Sequence, residues 1–138
     1  MGFRGYISSR PCFESRTPQH VQNLVIRDYC ARKQMEYLLS ATEYAMAGSY
    51  LMLQNVLADL SEMEGIVCYS LFQLPYDNSK RCQVYDAVLT ANKQIHFSLE
   101  SLAVTRVEEV DRIEDIWKVS KMLPDTLSVG DLKKVITV

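Results

Sequence analysis

The sequence is poor in several things that announce a function. Among its 138 residues are only five glycines and four prolines, and no G-x-G-x-x-G, G-x-x-x-x-G-K-[ST] or G-x-S-x-G occurs. Dinucleotide, P-loop and α/β-hydrolase readings fall with those motifs, because each needs glycine to bring backbone against a phosphate or to sharpen the turn under a nucleophile. Neither of the two histidines, His20 and His96, stands in an H-x-H or H-x-x-x-H spacing, and none of the four cysteines forms a C-x-x-C pair. No metal and no cofactor is therefore expected. No segment reaches the roughly 20 apolar residues that span a bilayer. The stretch Met1–Arg10 has no apolar signal-peptide core, so a cytoplasmic protein without a membrane span is expected. A net charge of −2 and a pI near 5.7 lack the basic footprint of a nucleic-acid binder.

What is present is an alternation of short apolar runs with longer helical ones. Gly5 to Ser8, starting near Phe3, reads as a first strand. Thr17 and Pro18 read as a helix start, with Thr as cap and Pro in the first turn. Val21, Leu24, Val25 and Tyr29 then carry a helix to about Lys33. Glu36–Ser40 is a second strand. Ser49 is placed to cap a helix carrying Leu53, Val56, Leu57, Leu60 and Met63, with Gly65 as its C-terminal glycine. Ile66–Leu71 is almost wholly apolar, the mark of a strand buried on both faces. A helix from Ser79 to Asn92, with Cys82, Tyr85, Val88 and Leu89 inward, leads to a strand at Gln94–Leu99. An acidic amphipathic helix from Arg106 to Met122 is stopped by Pro124, and a fifth strand is placed near Lys134–Val138. The expected fold is one α/β domain over 1–138: three layers, a mostly parallel sheet of four or five strands, helices on both faces. The 105–138 segment is a candidate oligomerisation element.

In such sheets ligands bind at the carboxyl edge of the strands. The residues collected there are Ser8, Ser9 and Arg10 after the first strand, and Thr42, Glu43 and Tyr44 after the second. Ser70 and Gln73 follow the third strand, and Glu100 the fourth. The first helix adds Gln19, Gln22 and Asn23. A helix N-terminus beside an arginine and short hydroxyls suits a phosphate or carboxylate. Glu43 and Glu100 are candidate acid–base residues or sugar-hydroxyl ligands. The competing view of Glu43 is a solvated loop carboxylate, and strand ends are polar in any α/β protein because the chain exits to water there. His96, between Ile95 and Phe97, is expected to face the opposite side of the sheet as a hydrogen-bonded structural histidine. Trp117 is expected to anchor its helix on the sheet or on a partner subunit. Cys30, Cys68 and Cys82 are expected as buried free thiols; Cys12, after Pro11, lies in a loop where a reactive thiol is conceivable.

Two resemblances bear on function. Gly5-Tyr6-Ile7 opening a strand, the helix from Gln19 to Tyr29, and the run from Gly65 to Pro75 resemble the catalytic domain of serine resolvases and invertases over roughly residues 4–103. That likeness implies a resolvase-like fold. It argues against recombination: the family's arginine and serine positions hold Ser8 and Arg10 in reverse, and its Asp-Arg-x-x-Arg motif falls on Phe72, Gln73 and Tyr76. The segments Gly5–Arg10, Pro18–Cys30, Leu39–Met46 and Tyr69–Pro75 are similar to those of sporadic carbohydrate cluster proteins, a small bacterial family named for surface-polysaccharide gene clusters. This resemblance implies a setting in carbohydrate biosynthesis and supplies no catalytic residues; together with the anion-suited rim it makes a sugar phosphate or nucleotide-linked sugar the expected ligand, with proton transfer the expected kind of step if the protein is an enzyme. Self-association is expected, no nucleic-acid partner is expected, and a non-catalytic module assembling through 106–122 is the alternative.

Overall fold

The computed structural model describes residues 2–9, 17–43 and 50–126. Nine elements follow in order: β1 (Phe3–Ser8), α1 (Gln19–Arg32), β2 (Tyr37–Glu43), α2 (Leu51–Ala58), β3 (Gly65–Cys68), α3 (Asn78–Thr90), β4 (Gln94–Phe97), β5 (Leu102–Val104) and α4 (Val110–Thr126). Single 3-10 turns lie at Leu60–Glu62, Leu71–Gln73 and Val107–Glu109. The strands form one sheet in the order β2-β1-β3-β4-β5, parallel except for β5. The fold is therefore α/β, a mostly parallel five-stranded sheet with helices on both faces.

Strand alternation decides the two faces. Tyr6, Ile66, Cys68, Ile95 and Phe97 point into a large core with Leu53, Val56, Val84, Val88, Ile113 and Trp117, under α2, α3 and α4. Phe3, Ile7 and Val67 point the other way, against Ile26, Tyr29 and Cys30 of α1. All four β3 residues are buried, as its unbroken apolar run requires.

With few glycines, the helices close on other residues. Gln34 and Asn92 take the left-handed conformation, φ 57° and 63°. Each closes a Schellman motif: Met35 N–H reaches Cys30 C=O at 2.8 Å after α1, and Lys93 N–H reaches Val88 C=O at 3.0 Å after α3. Gly65 is not the C-cap of α2, which ends seven residues earlier. It opens β3, where a Cβ would collide with the Gln94 carbonyl of β4. Gly5 is required in the same way, since a Cβ there would strike the Ser40 hydroxyl.

Several expected boundaries shift. Pro18 occupies the N-cap position of α1 rather than its first turn, and Thr17 shares a hydrogen bond with Tyr69 Oη instead of capping. The inward face of α1 is Gln22, Ile26, Tyr29 and Cys30, leaving Leu24 exposed. The inward stripe of α3 is Arg81, Val84, Tyr85 and Val88, and Cys82 is exposed. β2 extends to Glu43 and carries a bulge: β1 advances from Arg4 to Tyr6 while β2 advances from Leu38 to Ala41. The extra residue turns Leu39 out to solvent at 77% exposure, an ordinary way to blunt an edge strand. α4 continues through Pro124 to Thr126; a proline so near a helix end removes one backbone bond and keeps a helical φ. The fifth strand is Leu102–Val104, running back along β4 through a turn at 98–101 in which Ser101 has φ 55°. Residues 134–138, Ser49 and Cys12 lie outside the described residues. No helix among the described residues is long and apolar enough to cross a membrane.

Candidate functional site at the carboxyl edge

The crossover from β1 runs outward to β2 through α1, and that from β3 runs the opposite way to β4 through α3. The connections diverge between β1 and β3, and the crevice above such a switch point is where open α/β sheets take ligands. In this chain it is built around one side-chain amide.

Gln22, in the first turns of α1 and 2% exposed, treats the end of β1 as a neighbouring strand would. Its Oε1 accepts from Ser8 N–H at 3.1 Å, and its Nε2 donates to Ser8 C=O at 2.7 Å and to Thr17 C=O at 2.8 Å. Oε1 also accepts from Gln73 Nε2 at 2.7 Å. The amide thereby fills two donor and two acceptor places. Gln73 ends the 3-10 turn after β3 and accepts from Ser70 N–H. Ser70 Oγ donates to Glu100 Oε2 at 2.6 Å and accepts from Phe72 N–H, while Glu100 Oε1 accepts from Leu71 N–H at 3.0 Å. Ser98 ties the turn that carries Glu100 to the end of β3, its Oγ donating to Cys68 C=O and Tyr69 C=O. One hydrogen-bonded chain thus joins β1, α1, the 71–73 turn and the turn after β4.

Its members are buried apart from Glu100, which is half-buried. Desolvation pushes the Glu100 carboxyl above the usual carboxylate range, against the opposing pull of Ser70 and Leu71. That shift is toward the range in which a carboxyl gives and takes protons near neutrality.

Glu43 is elsewhere on the same edge and is not a solvated loop carboxylate. It is 2% exposed. Its Oε2 accepts from Tyr6 Oη at 3.0 Å and Leu53 N–H at 3.1 Å, and its Oε1 from Met52 N–H at 3.2 Å. A carboxylate on the first N–H groups of α2 satisfies donors that a helix leaves open and sits at the positive end of its dipole.

The other expected residues divide. Ser8, Gln22, Ser70, Gln73 and Glu100 are brought together. Ser9 bonds the Glu43 backbone through N–H (3.0 Å) and Oγ (3.4 Å). Thr42 is half-buried, and Gln19 is exposed. Asn23 is not part of this cluster: its Oδ1 accepts from Ser40 Oγ at 2.7 Å and from Tyr37 Oη at 3.4 Å. Arg10 and Tyr44 lie outside the described residues. His96 is the hydrogen-bonded structural histidine expected, between Tyr29 Oη at 2.7 Å and Gln94 Oε1 at 2.9 Å. Desolvation first, then Lys33, lowers its pKa to about 4. Among the described residues no group of three or more His, Cys, Asp or Glu is placed to hold a metal ion.

A charged cluster went unread. Arg81 is 1% exposed. Its Nε and Nη2 pair with Glu114 of α4 at 2.7 and 2.8 Å, Nη1 donates to the Pro75 and Tyr76 carbonyls at 3.0 Å, and Nη2 also reaches Asn78 Oδ1. The guanidinium stacks 4.2 Å from the Trp117 ring centroid. Burial alone would raise Glu114, but hydrogen bonds from Arg81 and Tyr85 outweigh it and hold the carboxyl below its usual range. The available signal was an arginine standing on the 81/84/85/88 stripe of an otherwise amphipathic helix. Ile113 and Trp117 are 1% and 4% exposed, so Trp117 anchors α4 on its own sheet. No protein-family model and no curated sequence matches the chain.

Proposed function

We propose that the protein binds a sugar phosphate or a nucleotide-linked sugar at the carboxyl edge of its sheet, in the cytoplasm, and that Glu100 moves a proton on it. The observation that carries the reading is the buried Ser8–Gln22–Gln73–Ser70 chain ending on a half-buried carboxyl whose pKa is raised. Three strand ends and the start of α1 are locked together, and one titratable group is left at the surface of the assembly. Rigid support beneath a single acid–base group is what proton-transfer catalysis needs. The likeness to sporadic carbohydrate cluster proteins supplies the biological setting, surface-polysaccharide synthesis. Titration calorimetry with a panel of sugar 1-phosphates and nucleotide sugars, followed by NMR of each bound compound over time, tests it. Binding by the panel with turnover lost in Glu100→Gln is expected; turnover unchanged in Glu100→Gln, or no binding at all, contradicts the reading.

A second reading, assembly through the 106–122 segment, draws on Val107, Val119 and Met122, which are 68%, 56% and 62% exposed. The main apolar stripe of α4 is used within the chain, so this surface is limited to its outer side. Light scattering across a concentration series distinguishes a dimer from a monomer.

A further inference from the structure

The geometry points to a groove between the N-terminal ends of α2 and α3, lined by Lys80, Lys121 and Tyr76, as the seat of a phosphorylated sugar. The inference rests on the reading above for the class of ligand and assigns the residues that hold its phosphate and its ring.

The groove has two connected parts that share Tyr50, Pro75 and Lys80. The outer part, about 610 Å³, adds Tyr76, Asp77, Asn78 and Lys121. That volume lies within the range of small-molecule sites. The inner part, about 160 Å³, has Leu53, Leu57 and Val84 along it with Gln54 and Gln83 at its sides. An apolar floor, two amides and two tyrosines suit a ring that carries hydroxyls.

The charge balance selects an anion, which for the ligand class proposed above is its phosphate. The ion pairs among the described residues are Arg32–Asp28 and Arg81–Glu114, and neither involves a groove lysine. Lys80 is exposed. Lys121 Nζ donates to the Tyr76 carbonyl and to Asn78 Oδ1, both at 2.8 Å and both neutral acceptors, and lies 4.1 Å from the Tyr76 ring centroid. An ammonium group has three donors, so one remains for a ligand on a head group whose position is already fixed. Among the described residues Asp77 is the one carboxylate lining the groove, and its Oδ1 is occupied by the N–H groups of Ser79 and Lys80. Among the described lining residues two cations face one capped carboxylate, and their sum is positive.

The wall is also built at a cost. A fully buried arginine needs a reason, because desolvating a charge pair is expensive. Arg81 holds the Pro75 and Tyr76 carbonyls and Asn78 Oδ1, and Lys121 donates to the last two of the same atoms. Arg81 is therefore a positioning residue for the groove, acting through residues 75–78.

The test is binding of pyrophosphate, glucose 1-phosphate, UDP-glucose and uncharged glucose, by calorimetry, to the full chain and to Lys80→Gln, Lys121→Gln, Tyr76→Ala and Glu100→Gln, with each fold verified by circular dichroism. The phosphorylated probes are expected to bind and glucose not to. Each lysine substitution should weaken them about tenfold and Tyr76→Ala should weaken the two sugar-bearing probes about threefold with pyrophosphate unchanged. Lys80 is exposed, so Lys80→Gln keeps the test valid if Lys121→Gln disturbs the loop. Binding that survives both lysine changes but is lost in Glu100→Gln overturns the groove and spares the proton-transfer site. Binding of no probe overturns both. Glucose 1-phosphate and UDP-glucose distinguish a free sugar phosphate from a nucleotide-linked one.

Discussion

The two faces of the sheet handle buried polarity in opposite ways. On the α1 face a small apolar cluster is accompanied by neutral groups: the Gln22 amide, the Ser8 backbone, His96 between Tyr29 and Gln94, and Asn23 with Ser40 and Tyr37. On the other face, where three helices crowd the strands, charged groups are buried as well: Glu43 on the first turn of α2, and Arg81 on the half-buried Glu114. The charges of α1, Arg27, Asp28 and Arg32, lie on its exposed side, and neutral hydrogen bonding suffices beneath it. Three helices bring a free helix N-terminus and a facing carboxylate within reach, and a buried charge can be satisfied. The lesson is that ionic groups in this fold occur where tertiary packing supplies their partners, and those partners are far away in sequence.

The difference can be broken at its strongest point. Arg81→Met takes two donors from Glu114, which keeps only the Tyr85 hydroxyl, and leaves the Pro75 carbonyl without its donor, and urea unfolding should register a loss of about 4 kcal/mol. The double change Arg81→Met with Glu114→Leu should recover much of it; no recovery would mean the pair is not the source of the cost.

Acid should separate the faces next. His96 is held neutral in the fold, with a pKa of about 4 against an ordinary 6.5. Between those values the unfolded chain binds a proton that the native one does not, so stability falls as pH drops from about 6.5 to 4, by about 3 kcal/mol. Glu114, lowered in the fold, contributes stability above the ordinary carboxylate range and loses it as pH falls through its folded value. Its loss therefore begins below that of His96. Stability measured against pH should show the upper phase, and His96→Gln should abolish that phase alone.

Gln22→Leu removes a neutral partner from Ser8 N–H and Gln73 Nε2, for about 2 kcal/mol in urea unfolding. A loss as large as that of Arg81→Met would erase the distinction between the faces. The smallest effect is expected at Glu100. Glutamine there keeps an acceptor for Leu71 N–H and removes a desolvated charge, so Glu100→Gln should change stability by less than about 1 kcal/mol while ending the proposed proton transfer.

The sequence was a good guide where a pattern is local. β1, β3, β4 and the existence of α1, α3 and α4 follow from apolar runs and helical spacing, and Ser8, Gln22, Ser70, Gln73 and Glu100 converge because strand ends share one edge. It was a poor guide where a distant partner decides. Arg81 is buried only because Glu114 stands 33 positions on. Glu43 is buried only because Tyr6, Met52 and Leu53 donate to it. β5 is three residues long and exists through its pairing with β4. The bulge at Leu39 is a property of two strands and of neither alone.

The carboxyl-edge account meets its most direct test in backbone amide NMR shifts recorded while glucose 1-phosphate is titrated into the protein. Shifts concentrated at Ser70–Gln73, Glu100 and Asn78–Arg81, saturating together, are the predicted result. Shifts confined to the opposite end of the sheet, around Met35–Tyr37 and Lys93–Gln94, or no saturable shift, would contradict it.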